Sequence, residues 1–331
     1  MSKLPTRVRI MGTGSHTPDR ILTNQDLSEM VDTSDEWIVT RTGIRERHIV
    51  SEEEATSDIA IPAARKACEA AGVDPADLDN IIIGTATSDM PFPSTACLVQ
   101  AAIGARKAAA FDVVAACSGF LYGLNVGRSM ILSGQAKRIL VMGAETLTRI
   151  TDWQDRNTCV LFGDAAGAVV LGPSEDENRG LLSINFGSDG RLWELLHQPA
   201  GGSRKPASHA TVDAREHVIR MIGRDVFKHA VKHMSEAILA ALEEAGVTGA
   251  DLDLLIPHQA NIRIMEAVGK KIEIPRERVC VNLDRYGNTS SASIPLALDE
   301  AIRSGRCGEG SLVGLVAFGG GFTWAASVVR L

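Results

Sequence analysis

The residue types best able to do covalent chemistry in this chain gather at four short junctions rich in small residues. Phe111-Asp-Val-Val-Ala-Ala-Cys117-Ser-Gly-Phe120 runs from an apolar strand through a turn into a helix, with Cys117 at the turn. A thiol at a helix N-terminus feels the positive end of the dipole, so a lowered pKa and a nucleophilic thiolate are expected. The plain alternative is a core cysteine, since free Cys is among the most buried residue types. His258, in Leu254-Leu-Ile-Pro-His258-Gln-Ala-Asn261, follows an apolar strand at a helix start. A lone His there is more often a hydrogen-bonded structural residue. Asn288, in Gly287-Asn-Thr, suits a turn in which the amide bonds its own backbone. Gly319-Gly-Gly321 suits either a tight bend or a close backbone approach to a substrate oxygen. Singly, each structural explanation suffices. Together, at strand ends of one core, they supply a cysteine nucleophile, two neutral donors and backbone N–H groups, the set that thioester acyl transfer requires.

The elements that must position these residues are duplicated. Glu69-Ala-Ala-Gly-Val-Asp-Pro-Ala-Asp-Leu-Asp79 precedes the apolar run Ile81–Ile83, and Glu243-Glu-Ala-Gly-Val-Thr-Gly-Ala-Asp-Leu-Asp253 precedes Leu254–Ile256. The two align without a gap at an offset of 174, from 69 and 243. Phe162-Gly-Asp-Ala-Ala-Gly-Ala-Val-Val-Leu171 is echoed by the terminal Phe318–Leu331 segment. Apolar strands alternating with helices predict two similar α/β halves packed together, 1–173 and 174–331, the first carrying Cys117 and the second His258 and Asn288. The same offset sets Cys117 opposite Ser291 and Thr85 opposite Gln259, so strand ends of both halves meet in one crevice.

Other segments are expected as follows. Arg7–Gly12 forms a strand ending at a Gly12-Thr-Gly14 turn, which is no dinucleotide fingerprint because the third glycine is missing. Thr23–Glu29 is a short capped helix, and Thr56–Ala71 a helix stopped by Gly72. Residues from about 188 to 216, with His197, His209 and the adjoining His217, form an excursion over the surface or the mouth of the site. A helical pattern begins at Val218 and runs to Ala245. Ser34 to Arg47 combines Trp37 with several arginines, suited to stacking a base and neutralising phosphates or to a solvated face.

At 331 residues, 45% hydrophobic and 23% charged, the composition is that of a soluble globular protein. A net charge of -7 argues against a general nucleic-acid binder. Six scattered cysteines with no Cys-x-x-Cys pair indicate a reduced, cytosolic protein without structural zinc. No signal-peptide core and no membrane-length apolar run is present.

Ala115-Ala-Cys117-Ser-Gly-Phe, Pro257-His258-Gln-Ala-Asn261, Gly287-Asn288-Thr-Ser and Phe318-Gly-Gly-Gly-Phe-Thr-Trp resemble the signatures of the β-ketoacyl-acyl-carrier-protein synthase III family, with thiolase-like fold. Glu36-Trp37-Ile, Arg41-Thr-Gly-Ile, Phe92-Pro-Ser94 and Asp155-Arg156 extend the resemblance nearly end to end. It implies a five-layered αβαβα subunit, a homodimer, and a multifunctional cytoplasmic acyltransferase that starts type II fatty acid synthesis. Cys117 would take the acyl group of a short acyl-CoA, usually acetyl-CoA. His258 and Asn288 would stabilise the enolate left by decarboxylation of malonyl-acyl-carrier-protein. The N–H groups of Cys117 and Gly320 would form the oxyanion hole. Trp37, Arg41, Arg156, Gly223 and Asn261 would hold CoA, Phe318 would line the acyl pocket, and Phe92 would reach the partner subunit's pocket. Lys228, Arg263, Lys270 and Lys271 would dock the acidic acyl carrier protein. No metal and no cofactor beyond the CoA thioester substrate is implied.

A thiolase would carry a second cysteine in the final glycine loop, and an elongating enzyme a second histidine where Asn288 stands. A papain-like protease shares the order Cys, His, Asn but not the duplication. A noncatalytic scaffold would have no reason to keep all three polar residues. Relatives that make secondary metabolites or longer β-keto chains share Cys-His-Asn and stay open, as does primer length.

Overall fold

The computed structural model describes residues 4–331 and builds two large sheets around a shared helical layer. The first sheet runs in the order Arg7–His16, Asp164–Ser174, Ile139–Thr146, Asn80–Gly84, Ala109–Val113. The first two pairings are antiparallel and the last two parallel. The second sheet runs Gly180–Ser188, Thr323–Arg330, Leu312–Gly319, Leu254–Pro257, and its pairings are antiparallel, antiparallel and parallel. The order of four strands is thus repeated. The fifth survives only as a parallel bridge from Leu255 to Val279.

Continuous apolar runs make these strands, because helices cover both faces. Ile81, Ile82 and Ile83 are fully buried, as are Leu255 and Ile256. The helices Gly119–Leu132 and Ser293–Arg303 lie between the sheets, and one apolar cluster joins Val141 and Val169 to Leu315 and Val329 through Leu124 and Leu298. Thr56–Ala71 covers the outer face of the first sheet, while Gly223–Ala245 and Ile262–Lys271 cover that of the second. The result is the five-layered αβαβα arrangement of a thiolase-like fold.

Two expectations need correction. Gly12 and Gly14 do not end the first strand, which continues to His16. They let the Thr56–Ala71 helix cross it, since a β-carbon on Gly12 would stand 2.3 Å from the Ala71 amide nitrogen. The long C-terminal helix starts at Gly223, not Val218, because Arg220 and Met221 pair as a strand with His197 and Leu196. The 188–216 excursion reaches the mouth of the cavity through Leu196 and is tied to the body of the fold. Arg215 and Arg220 donate to the buried Asp152 carboxylate at 3.2 and 2.9 Å, and a short helix, His209–Asp213, is capped by Ser208. Among the described residues, no helix is long and apolar enough to cross a membrane.

Candidate active site

The strand ends of both halves open on one cavity of about 820 Å³, lined by Cys117, His258, Asn288, Phe318 and Gly319. Cys117 sits in the short turn Ala116–Ser118, which passes directly into the central helix Gly119–Leu132. Ala116 holds a left-handed backbone, φ 45°, which turns the chain sharply before Cys117. The expectation of a lowered thiol pKa is overturned. Burial pushes Cys117 up to about 12, with the Glu145 carboxylate adding to the rise and the Ser290 hydroxyl opposing it. Desolvation of a thiolate outweighs one helix terminus.

His258 follows the strand Leu254–Pro257, and its N–H donates to the Val316 carbonyl at 2.7 Å. Burial lowers its pKa to about 4, so the imidazole is neutral at pH 7. Its Nδ1 lies 2.8 Å from Ser293 Oγ. Ser293 Oγ also accepts the Gln259 N–H at 3.4 Å, so the serine holds the imidazole and the turn together. Gln259 stitches the turn, donating to the Pro257 and Cys280 carbonyls at 2.8 and 3.1 Å.

Asn288 is clamped by its backbone, donating to the Leu161 carbonyl at 2.8 Å and accepting from the Gly163 N–H at 3.1 Å. Its Oδ1 accepts the Ser290 N–H at 2.9 Å, so the amide's donor side is the one left to serve the cavity. The turn asparagine of the structural explanation is therefore present, and it orients the residue. Gly319 packs against the cysteine turn: a β-carbon there would lie 2.5 Å from the Cys117 amide nitrogen. Thr323 Oγ1 donates to the Ala115 carbonyl at 2.8 Å and ties the glycine loop to the cysteine turn. Gly320 is next in the loop, beside Leu196, and does not itself line the cavity.

Trp37 and Arg41 line the outer cavity from the helix Asp35–Thr42. Guanidinium groups of Arg41 and Arg156 stand 4.7 and 4.8 Å from the Trp37 ring centroid, and Arg156 pairs with Asp32 at 3.0 Å. Gly223 and Asn261 also line it, Asn261 capping the helix Ile262–Lys271 and donating to the Arg41 carbonyl at 3.0 Å. The basic residues divide. Arg263 lines the cavity and donates to the Thr40 carbonyl at 3.0 Å, Lys270 and Lys271 are exposed further along the helix, and Lys228 pairs with Asp225 at 3.4 Å. Phe92 lies outside the cavity and is 85% exposed.

The apolar wall of Leu196, Met221, Ile222 and Met234 was not legible in the sequence, because it belongs partly to the excursion. Glu145 and Ser290 behind Cys117 were also missed. A lone carboxylate in the apolar run Ile139–Thr146 was the available signal.

Comparison with known proteins agrees with this geometry. The family model described as 3-oxoacyl-[acyl-carrier-protein (ACP)] synthase III matches residues 111–190, and that of its C-terminal part matches 242–331. The chain is 54% identical over 321 residues to a beta-ketoacyl-[acyl-carrier-protein] synthase III of Caldanaerobacter subterraneus subsp. tengcongensis, covering 97% of each. The crystal structure of 3-oxoacyl-[acyl-carrier-protein] synthase III from Aquifex aeolicus VF5 superposes with a TM-score of 0.91 at 49% identity, covering 98% of this chain and 100% of that one. The priming beta-ketosynthase from the R1128 polyketide biosynthetic pathway gives a TM-score of 0.91 at 35% identity, covering 100% and 98%. By sequence, fold and the make-up of its cavity, the chain belongs to the 3-oxoacyl-[acyl-carrier-protein] synthase III family.

Proposed function

We propose that Cys117, His258 and Asn288 divide the family's initiating condensation among them, with acetyl-CoA as the primer. Cys117 Sγ attacks the acyl-CoA carbonyl, the carbon–sulfur bond to CoA breaks, and the acyl group stays on the enzyme as a thioester. The N–H groups of Cys117 and Gly320 receive the charge on the carbonyl oxygen. Malonyl-acyl-carrier-protein follows, and its carbon–carbon bond to CO2 breaks without a strong base. His258 Nε2–H and the Asn288 amide donate to the thioester oxygen of the enolate. The carbanion then forms the new carbon–carbon bond and displaces Cys117, giving a 3-oxoacyl-acyl-carrier-protein.

The observation that carries this assignment is a neutral His258 in the same cavity as Cys117. At pKa about 4 it cannot deprotonate the thiol efficiently at pH 7, yet it is well suited to donate from Nε2. Trp37, Arg41 and Arg156 at the cavity's outer end suit the CoA nucleotide, with Gly223 and Asn261 beside its path and Phe318 against the acyl group. Exposed Lys270 and Lys271, with Lys228 and Arg263, form the carrier-protein contact. A homodimer pairs the unpartnered edge strand Ala109–Val113 with its copy, which would cover Phe92 and Val114, 85% and 81% exposed. The enzyme works in the cytoplasm and needs no cofactor.

Acetyl-CoA should add one acetyl mass to the wild-type protein and none to Cys117→Ala, and malonyl-acyl-carrier-protein should discharge it. Absence of an adduct with every short acyl-CoA would sink the assignment.

A further inference from the structure

Glu145 is a carboxyl group that the steps above leave unused. It interrupts the apolar strand Ile139–Thr146 and is fully buried. Such a group costs stability unless donors satisfy it, and here hydroxyl and amide donors meet both of its oxygens. Oε2 accepts from Thr85 Oγ1, the Ala86 N–H and Thr87 Oγ1 at 3.3, 3.1 and 2.6 Å, and Oε1 accepts from Ser290 Oγ at 2.9 Å. The first three donors follow the neighbouring strand Asn80–Gly84 in the same sheet. They are fixed in turn, since Thr85 Oγ1 accepts the Thr87 N–H at 3.1 Å and Thr87 Oγ1 accepts the Thr146 N–H at 2.9 Å. Oε2 is thus held within the N-terminal half, and Oε1 reaches across to the other.

Ser290, the residue it reaches, is also the one that fixes the Asn288 side chain. The Ser290 backbone N–H donates to Asn288 Oδ1 at 2.9 Å, and among the described residues the Asn288 amide makes no other hydrogen bond. To place that N–H, Ser290 keeps a left-handed backbone, φ 48°, which residues other than glycine adopt uncommonly. The Ser290–Ala292 turn has no second side-chain anchor: Ser291 Oγ lacks a partner among the described residues, and Ala292 has no polar side-chain atom. The Asn288 backbone is pinned separately, by Leu161 and Gly163. What Ser290 decides is therefore the rotation of the amide, and what holds Ser290 is Glu145.

We propose that Glu145 and Ser290 are positioning residues for Asn288. The carboxylate anchors the Ser290 hydroxyl, the anchored turn aims its N–H at Asn288 Oδ1, and the amide is left with its donor end toward the cavity. Both links are buried hydrogen bonds of 2.9 Å. The consequence is specific to one step. On the reading given above, on which this proposal rests, Cys117 is acylated without Asn288, whereas loss of CO2 from the malonyl group needs the Asn288 amide on the thioester oxygen. Release of the anchor slows the second half-reaction and spares the first.

Two measurements on the same preparations test this: single-turnover acetylation of Cys117 by acetyl-CoA, and CO2 release when the acetyl-enzyme meets malonyl-acyl-carrier-protein. Ser290→Ala removes the anchored hydroxyl, and Glu145→Gln keeps the size while turning an NH2 group toward donors. Both variants should acetylate within about twofold of wild type and release CO2 roughly 10- to 10²-fold more slowly, in kcat rather than KM. Added to Asn288→Ala, either substitution should slow CO2 release by no more than about twofold further, because the anchor acts only through that amide. Wild-type CO2 release in either variant, equal slowing of both half-reactions, or the full loss repeated in the Asn288→Ala background overturns the proposal. Should Glu145→Gln fail to fold, Ser290→Ala, which removes one oxygen atom, decides by the same three criteria. Wild-type CO2 release by Asn288→Ala alone strikes at the role given to Asn288 instead.

Discussion

Ala116 and Ser290 stand 174 positions apart and hold the same left-handed backbone, φ 45° and 48°. Each opens a short turn, Ala116–Ser118 or Ser290–Ala292, that runs into one of the two central helices. The next residues diverge. Cys117 lines the cavity, whereas Ser291 is 1% exposed and its Oγ has no hydrogen-bond partner among the described residues. The duplication kept the turn geometry in both halves and opened only one of them to the cavity. Backbone strain of this kind, about 1–3 kcal/mol at each residue, persists where surrounding structure over-determines it.

Ser291→Ala removes a buried hydroxyl that lacks a partner. The expected outcome is a stability gain of up to about 1 kcal/mol by denaturant titration, with the acylation rate unchanged. A loss of stability would show that Ser291 Oγ is needed as filler against Gly84 and Gly143, where it lies 2.7 and 2.9 Å from the positions of added β-carbons.

Gly319→Ala tests the pressure of the glycine loop on the nucleophile. Its methyl group would stand 2.5 Å from the Cys117 amide nitrogen, a backbone atom that cannot rotate away. Acylation should fall by about 10²-fold or more as the oxyanion donors separate, while overpacking costs about 1–3 kcal/mol of stability. Wild-type acylation in a folded variant would contradict this.

His258 makes a signed prediction about acid stability. Its folded pKa is about 4 against 6.5 for the free side chain, so the unfolded chain binds the proton first as pH falls. The contribution is intact above 6.5, is lost between 6.5 and about 4, and is level below. The gap amounts to about 3 kcal/mol. Glu145, raised to about 7, acts in the opposite direction between its own two values. The difference between wild type and His258→Gln isolates the histidine: denaturation midpoints should converge as pH falls through that window, and parallel curves would refute it.

The meeting of Cys117, His258 and Asn288 in one cavity was legible because each stands at a strand or turn end that the duplication places around one crevice. The thiol's pKa was not, since a helix terminus is visible locally while burial depends on packing from distant segments such as Gly319, over 200 positions away, and the opposing charge comes from Glu145 on another strand. Gly12 and Gly14 misled for a similar reason: a crossing helix and a turn demand the same residue. Leu196 and Met221 became part of the wall only because Arg215 and Arg220 tie the excursion to Asp152.

The basic residues should separate by substrate. Lys270→Ala with Lys271→Ala should raise KM for malonyl-acyl-carrier-protein and spare acylation from CoA, because both are exposed and neither lines the cavity. Arg263→Ala should impair both steps, since Arg263 lines the cavity and holds the Thr40 carbonyl. Equal loss in both steps for the lysine pair would refute its docking role.

Arg156 stacks on Trp37 and also pairs with Asp32, so base insertion against the indole must compete with contacts already made within the chain. The pair is weak: Arg156 is 40% and Asp32 99% exposed, and such exposed bridges contribute about 0–1 kcal/mol. Asp32→Asn should therefore lower KM for acetyl-CoA by no more than about fivefold. Trp37→Ala removes the surface on which both guanidinium groups and an adenine would stack. It should raise KM for acetyl-CoA by about tenfold or more, given roughly 1–3 kcal/mol for base stacking on an aromatic side chain. Acetyl-pantetheine lacks the nucleotide, so its acylation of Cys117 should be the same in wild type and Trp37→Ala. If the tryptophan variant slowed both substrates alike, Trp37 would be supporting the fold around Arg41 and Asn261 rather than holding the nucleotide.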